Sequence, residues 1–346
     1  MREISRSEAI AVADLLAGAH PHAGRPVHGP IPRRTRQAIR QRLVAREVIK
    51  ERYLPDPAVL GRPLVTFAIA QPFAEKHVEA VRAWRSLDSA VDVWSGQNAL
   101  FAVFFLAGLQ ELDALRAQLD KPQLHQTLYF LNCDSRDASV PVFLDYEAAW
   151  VRITGLDGTL AYPRALPSSS LADVDRPASV PRADREALRS LVLQTPEVGL
   201  ESGSGGWMKG PAKGMRERRL LRQGMVEFRS FLDPVECSRW ASNFPDAVVF
   251  VRGTLFGGTG PEALFRALVE ECGVSPFLFA TAGKAVLFCC LSDHRRDSRE
   301  PPSSRRVPTL EVMQRFLRQI VVARELLDTL TPVVDHRYDR PKIQTT

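Results

Sequence analysis

Residues Arg42–Pro57 read RLVAREVIKERYLPDP, and residues Arg219–Pro234 read RLLRQGMVEFRSFLDP. Laid side by side without a gap, Arg42, Leu43, Arg52, Asp56 and Pro57 fall on Arg219, Leu220, Arg229, Asp233 and Pro234. Val44, Val48 and Ile49 fall on the similar Leu221, Met225 and Val226, and upstream Arg36 falls on Lys213. A match at this spacing marks one unit occurring twice in the chain.

The elements that follow each copy repeat the same order. In the first half Leu64–Ala70 (LVTFAIA) is short and β-rich, so it reads as a strand. Phe73–Ser86 carries Val78, Val81 and Trp84 at helical spacing. Ala90–Trp94 and Ala99–Leu106 read as strands joined by a Gly-containing hairpin at Ser95–Asn98, and Leu109–Leu119 reads as a helix. In the second half Ala247–Leu255 reads as a strand and Pro261–Cys272 as a helix. Phe277–Ala280 and Ala285–Leu291 read as strands around Gly283, and Leu310–Leu330 as one long helix. The order is βαββα, with a last strand to close each unit, and it predicts a split-βαβ, ferredoxin-like sandwich in each half.

The 346 residues, 45% hydrophobic and 25% charged, suffice for several domains with substantial cores. The net charge of +6 is mildly basic and favours a polyanionic partner. Five cysteines without a CxxC pair exclude a zinc ribbon and a disulfide framework, which fits a reducing, cytoplasmic compartment. The N-terminus holds Arg2, Glu3, Arg6 and Glu8 rather than an apolar leader, and the apolar run Ala99–Leu109 is too short to span a bilayer. Two stretches lack apolar periodicity: Leu166–Pro181, read as a linker, and His294–Pro308, read as a loop inside a domain.

The sharpest chemistry lies in Pro32–Ile49 (PRRTRQAIRQRLVAREVI). Pro32 and Thr35 suit the first turn of a helix. Wound at the helical period, Ala38, Ile39 and Leu43 share a side with Thr35, while Arg33, Gln37, Arg40 and Gln41 lie opposite, with Arg34 and Arg36 at the margins. Such a helix fits the DNA major groove, where Arg forks onto guanine and Gln onto adenine, and flanking cations such as Lys50 and Arg52 hold phosphates. Val48–Leu54 would follow as a strand forming a wing. The matching Lys209–Val226 carries Lys213, Arg216, Arg218 and Arg219, and its Gly214 weakens the second helix.

The run Thr35–Ile49, followed by Arg52, Pro55, Asp56 and Gly61, resembles the recognition helix and wing of Lrp/AsnC-type regulators, and Leu220, Gly224, Met225 and Val226 repeat the resemblance. The resemblance implies an α+β chain of two tandem winged-helix plus ferredoxin-like βαββαβ units. The divisions would be an N-terminal winged helix over 1–57, a ferredoxin-like domain with an aromatic hairpin extension over 58–165, and a linker over 166–181. A second winged helix over 182–236 and a second ferredoxin-like domain over 237–346 would follow. It further implies a sequence-specific regulator of double-stranded DNA that works as an intrachain pseudo-dimer, open to further homodimerisation. A small effector such as an amino acid would bind between the sandwiches. One departure from the family is that His20–Pro30 and Glu201–Gly210, which precede the basic segments, are poor helices. That favours, as the alternative, a protein-binding scaffold with degenerate winged helices.

Other residues carry less. His20, His22 and His28 have no interleaved carboxylate or cysteine and read as a polar loop rather than a metal site. Asp134, Asp137, Asp145 and Glu147 read as loop and strand residues, Cys289–Cys290 as a packed strand, and Asp145–Arg164 as packing with a turn at Asp157–Gly158. Gly203–Gly206 lacks a P-loop's lysine and hydroxyl. With no nucleophile–base pair, metal set or cofactor loop in view, the sequence reads as a non-enzyme without a cofactor.

Overall fold

The computed structural model describes residues 3–17, 31–156 and 225–336, with gaps at 88, 97–98, 136–142, 145, 234–235, 238–239, 242–243, 246 and 293–308. In chain order the first half contains α1 (Arg6–Leu16), α2 (Arg33–Ala45), β1 (Ile49–Pro55), β2 (Leu64–Pro72), a 3-10 turn (Ala74–Lys76) and α3 (His77–Arg85). It continues with β3 (Ala90–Ser95), β4 (Leu100–Leu106), α4 (Leu109–Leu119), β5 (His125–Asp134), β6 (Phe143–Leu144) and α5 (Glu147–Thr154). The second half contains β7 (Val226–Leu232), β8 (Ala247–Leu255), α6 (Pro261–Arg266) extended by a π turn (Ala267–Glu271) and β9 (Pro276–Ala282). It ends with β10 (Ala285–Ser292), α7 (Thr309–Gln319), α8 (Val321–Glu325) and β11 (Leu327–His336).

The strands that the repeat aligns by sequence are hydrogen-bonded to one another. β1 and β7 form an antiparallel ladder in which Ile49 faces Leu232, Arg52 faces Arg229 and Pro55 faces Val226. Arg52 thus faces the residue that the repeat aligns with it, so the ladder reads the same from either end. The flanking bonds obey the same rule: Asp56 N–H donates to Met225 O at 3.0 Å, and Asp233 N–H to Val48 O at 3.1 Å. A pseudo-twofold axis therefore runs through the middle of this ladder. The expected wing is corrected here, because β1 is engaged by β7 as a tie between the halves.

Each half contributes one sheet of the same antiparallel order. The first is β3-β4-β2-β5, and the second is β9-β10-β8-β11 with the short β6 added at its β9 edge. This is the α+β arrangement and strand order of a split-βαβ sandwich, present twice. The closing strands β5 and β11 are both present. The long helix expected over Leu310–Leu330 is corrected to α7 and α8 followed by β11. Leu327 and Leu330 still pack on the helix-side core, because the β-bulge between Leu327 and Thr329 puts residues three apart on one face, the spacing that suggested a helix.

Period-two alternation divides each sheet into two faces. Phe67, Ile69, Phe101 and Val103 of the first sheet and Phe250, Leu287 and Cys289 of the second join one core between the sheets. Phe101 stacks on Phe250 with ring centroids 5.6 Å apart. The opposite faces pack on helices: Ala68 and Phe104 on Trp84 of α3 and on α4, and Val249 and Cys290 on α6 and on Phe316 of α7. Cys289 and Cys290 accordingly face opposite ways, as their strand reading requires. The layers run helix, sheet, sheet, helix.

At the N-terminal end α1 opens on a capping box. Glu8 N–H donates to Ser5 Oγ at 3.3 Å, and Ser5 N–H donates back to Glu8 Oε2 at 3.1 Å. α2 closes with Glu47 N–H on Val44 O at 2.9 Å and Val48 N–H on Leu43 O at 3.0 Å, which holds Glu47 at a left-handed φ of 58°. α5 clamps the two halves: Trp150, fully buried, donates its indole N–H to Ala9 O at 2.8 Å. Its neighbour Tyr146 stacks on Phe277 at 4.6 Å. The aromatic stretch from 145 serves packing as far as it is described, and the Asp157–Gly158 turn lies outside the described residues.

Candidate functional site

Where the two sheets meet, their edge strands β5 and β11 and the strands inside them, β2 and β8, leave a cleft with about 460 Å³ of void, counted with the solvent at its mouth. Its walls are Ile69 and Gln71 from β2, Thr127 and Tyr129 from β5, Phe250 and Arg252 from β8, and Thr331 to Val333 from β11. Alternation places them there: Arg252 continues the inward phase of Val248 and Phe250, and Tyr129 that of Leu131 and Cys133. Pro332 is tolerated because β11 is an edge strand.

The polar geometry centres on one pair. The Arg252 guanidinium carbon lies 5.1 Å from the centroid of the Tyr129 ring, a cation–π contact. Among the described residues no carboxylate forms an ion pair with Arg252. Burial raises the Tyr129 pKa above the ordinary tyrosine value, against the opposing pull of the Arg252 charge, so the phenol stays neutral and keeps its proton. Beside them Thr127 Oγ1 donates to Gln71 Oε1 at 2.9 Å, which leaves the Gln71 amide N–H groups available to another acceptor. The site offers one cation, one neutral phenol, one amide donor and apolar walls. A bound anion would meet charge, directed donors and a surface for a planar apolar body.

A second polar cluster lies under the first sheet. Trp84 Nε1 donates to His125 Nε2 at 3.4 Å, with the rings edge to face at 5.7 Å. Burial lowers the pKa of His125, against Asp120, and that of His77. Among the described residues no three His, Cys, Asp or Glu side chains group as a metal set.

The residues read from sequence as DNA contacts divide into four groups. Arg36 pairs with Asp14 at 3.2 Å, Arg40 with Glu51, and Lys50 with Asp233 at 2.7 Å; Arg42, which is not one of them, pairs with Glu8. Arg33, Arg34, Thr35, Gln37 and Gln41 stand exposed on α2, while Arg52 lies in the β1–β7 ladder. Lys213, Arg216, Arg218 and Arg219 lie outside the described residues, as do His20, His22, His28, Asp137, Asp145 and Gly203–Gly206. None of the described ones lines the cleft. Sequence reasoning missed Gln71, Thr127, Tyr129 and Arg252. Arg252 did leave a signal, as a lone cation at an inward position of the apolar strand AVVFVRGTL.

No protein-family model and no curated protein matches the sequence. Among solved structures the chain is similar to the siroheme decarboxylase NirDL in co-complex with an iron-uroporphyrin III analogue, at TM-score 0.42 and 11% identity, covering 96% of this chain and 92% of that one. It is also similar to the siroheme decarboxylase NirDL at TM-score 0.40 and 12% identity, covering 95% and 90% of the two chains. Both structures are of an enzyme, and neither is of a DNA-binding regulator. On that finding the expectations of a DNA-reading regulator, of its scaffold alternative and of a chain without enzymatic activity are corrected. The fold supplies a physical reason for the first: Arg36, Arg40, Arg42 and Lys50 already neutralise carboxylates within it. No helix among the described residues is long and apolar enough to cross a membrane.

Proposed function

We propose that the chain is an enzyme acting on a carboxylate-bearing small molecule in the cleft between its two sheets. Arg252 anchors the carboxylate and Tyr129 supplies a proton. The observation that carries this reading is the Arg252–Tyr129 pair. A half-buried guanidinium in a cleft of mixed polar and apolar lining, with no protein carboxylate paired to it among the described residues, gains most from an anionic ligand. A neutral phenol beside the anchored carboxylate is placed for general-acid work. The reaction class that the pair suits is loss of that carboxylate as carbon dioxide. The C–C bonding pair takes up the phenol proton as a new C–H bond, and water returns the proton to Tyr129. The cleft takes the place of the amino-acid effector site that the sequence suggested. All five cysteines are free, which suits a reducing, cytoplasmic setting.

The test is an absorbance titration with uroporphyrin III and a calorimetric titration with trimesate, each repeated on Arg252→Met. Loss of at least about tenfold in affinity for either probe is the expected result, since a hydrogen-bonded charge is removed. Equal affinities in wild type and variant, or no binding of either probe, would sink the reading. Carbon dioxide released from the bound probe, and abolished by Tyr129→Phe, would identify the reaction. A spectrophotometric pH titration should show a phenol ionising above the ordinary tyrosine value near 10 that disappears in Tyr129→Phe.

A further inference from the structure

The cleft and the β1–β7 ladder share a symmetry. β2 and β8 are each nine residues long, and β5 and β11 each ten. Phe67 faces Leu131 across β2–β5, and Phe250 faces Val333 across β8–β11. One rung further along, Ile69 faces Tyr129, and Arg252 faces Thr331. The corresponding positions are therefore Ile69 with Arg252 and Tyr129 with Thr331, and all four line the same cleft. Two corresponding pairs thus stand across one cleft, as they would on the axis, while the other walls, Gln71 and Phe250 among them, come from one half each.

We infer that the cleft lies on the pseudo-twofold axis of the chain, so that one chain holds one ligand, and that the ligand's orientation is set by which half carries the arginine. This rests on the ligand site proposed above. The axis brings both halves to one place, and the sequence then breaks the symmetry there. Arginine stands on the second half where the first has Ile69, and the aromatic stands on the first half where the second has Thr331. A carboxylate must approach the β8 side and lay its apolar body toward Ile69 and β2. With arginine on both rungs two cations would face one small void, and with isoleucine on both the anion would have no anchor.

The experiment is a mirror exchange. Uroporphyrin III binding is measured on wild type, on Arg252→Ile, and on the fourfold variant Ile69→Arg, Tyr129→Thr, Arg252→Ile, Thr331→Tyr, with circular dichroism and cooperative melting as the check on folding. The expected result is one ligand per chain for wild type, at least about tenfold weaker binding for Arg252→Ile, and recovery to within about threefold in the mirror variant. A folded mirror variant that stays at the Arg252→Ile level overturns the axial site while leaving the cleft as the binding place. Two ligands per wild-type chain overturn it as well, and this holds even where the mirror variant does not fold. Absence of wild-type binding, or an Arg252→Ile variant that binds normally, brings down the underlying site and the inference together.

Discussion

The two sheets share a strand order and differ in what they bury. On the first, the rung that faces its twin across the cleft carries Ile69 and Tyr129; on the second it carries Arg252 and Thr331. One position further along β2 and β8, Ala70 of the first is matched by Gly253 of the second. There the strand β11 bulges between Leu327 and Thr329 and brings the Thr329 carbonyl to 2.3 Å from where a Cβ would sit. The first sheet bulges at the corresponding rung, between Gln71 and Pro72 opposite β5, but there His125 is buried against Trp84, where the second sheet has Leu327. The duplicated topology thus tolerates different chemistry rung by rung. Backbone pairing is set by strand order, whereas each side chain answers only to what faces it.

The widest contrast to test lies between the paired and the free cations of α2. Arg36→Ala removes a guanidinium from the fully buried Asp14 carboxylate and should cost about 3 kcal/mol of unfolding free energy in urea. Arg33→Ala, on the exposed face, should stay within about 0.5 kcal/mol. Equal effects would mean that the Asp14 pair does not hold α1 to α2.

Next comes the Ala70–Gly253 pair. Gly253→Ala should destabilise by about 2–3 kcal/mol, because the new methyl group meets backbone rather than a side chain that can move aside. Ala70→Gly should cost only about 1 kcal/mol. If the two are equal, the Thr329 carbonyl gives way to the added methyl group.

Acid should separate the halves more gently. Burial lowers the pKa of His77 and His125, so both are neutral in the fold and take up protons more readily when unfolded. Their contribution is therefore present above the unfolded value near 6.5 and is lost as pH falls below it toward the folded values. The urea midpoint should drop between pH 7 and pH 5, and less so in His125→Gln. A wild-type midpoint that is flat over that range would contradict the burial of these rings.

The smallest effect concerns the end of α2. The repeat aligns Gly224 with Glu47, which holds a left-handed φ of 58°. Glu47→Gly should raise stability by about 1 kcal/mol, measured by thermal and urea unfolding. A loss would mean that the Glu47 side chain contributes more than its backbone strain costs.

Arg42–Pro57 and Arg219–Pro234 by themselves determined the internal repeat and its register, and that register reappears as the Arg52–Arg229 pairing. Local periodicity also determined the βαββα order of each half, because apolar spacing reports which side of a helix or strand is buried. It failed at Leu327–Leu330, where a bulge in β11 turns two leucines three residues apart to one face, as a helix would. Only the tertiary structure decided the roles of the charges. Arg36 reads as a DNA contact until Asp14, far from it in sequence, arrives beside it, and Arg252 reads as one inward cation until β5 brings Tyr129 against it. A repeat and a hydrophobic period are properties of the chain alone. The role of a charge depends on what the fold places within a few ångströms, and for Arg252 that neighbour comes from the other half of the molecule.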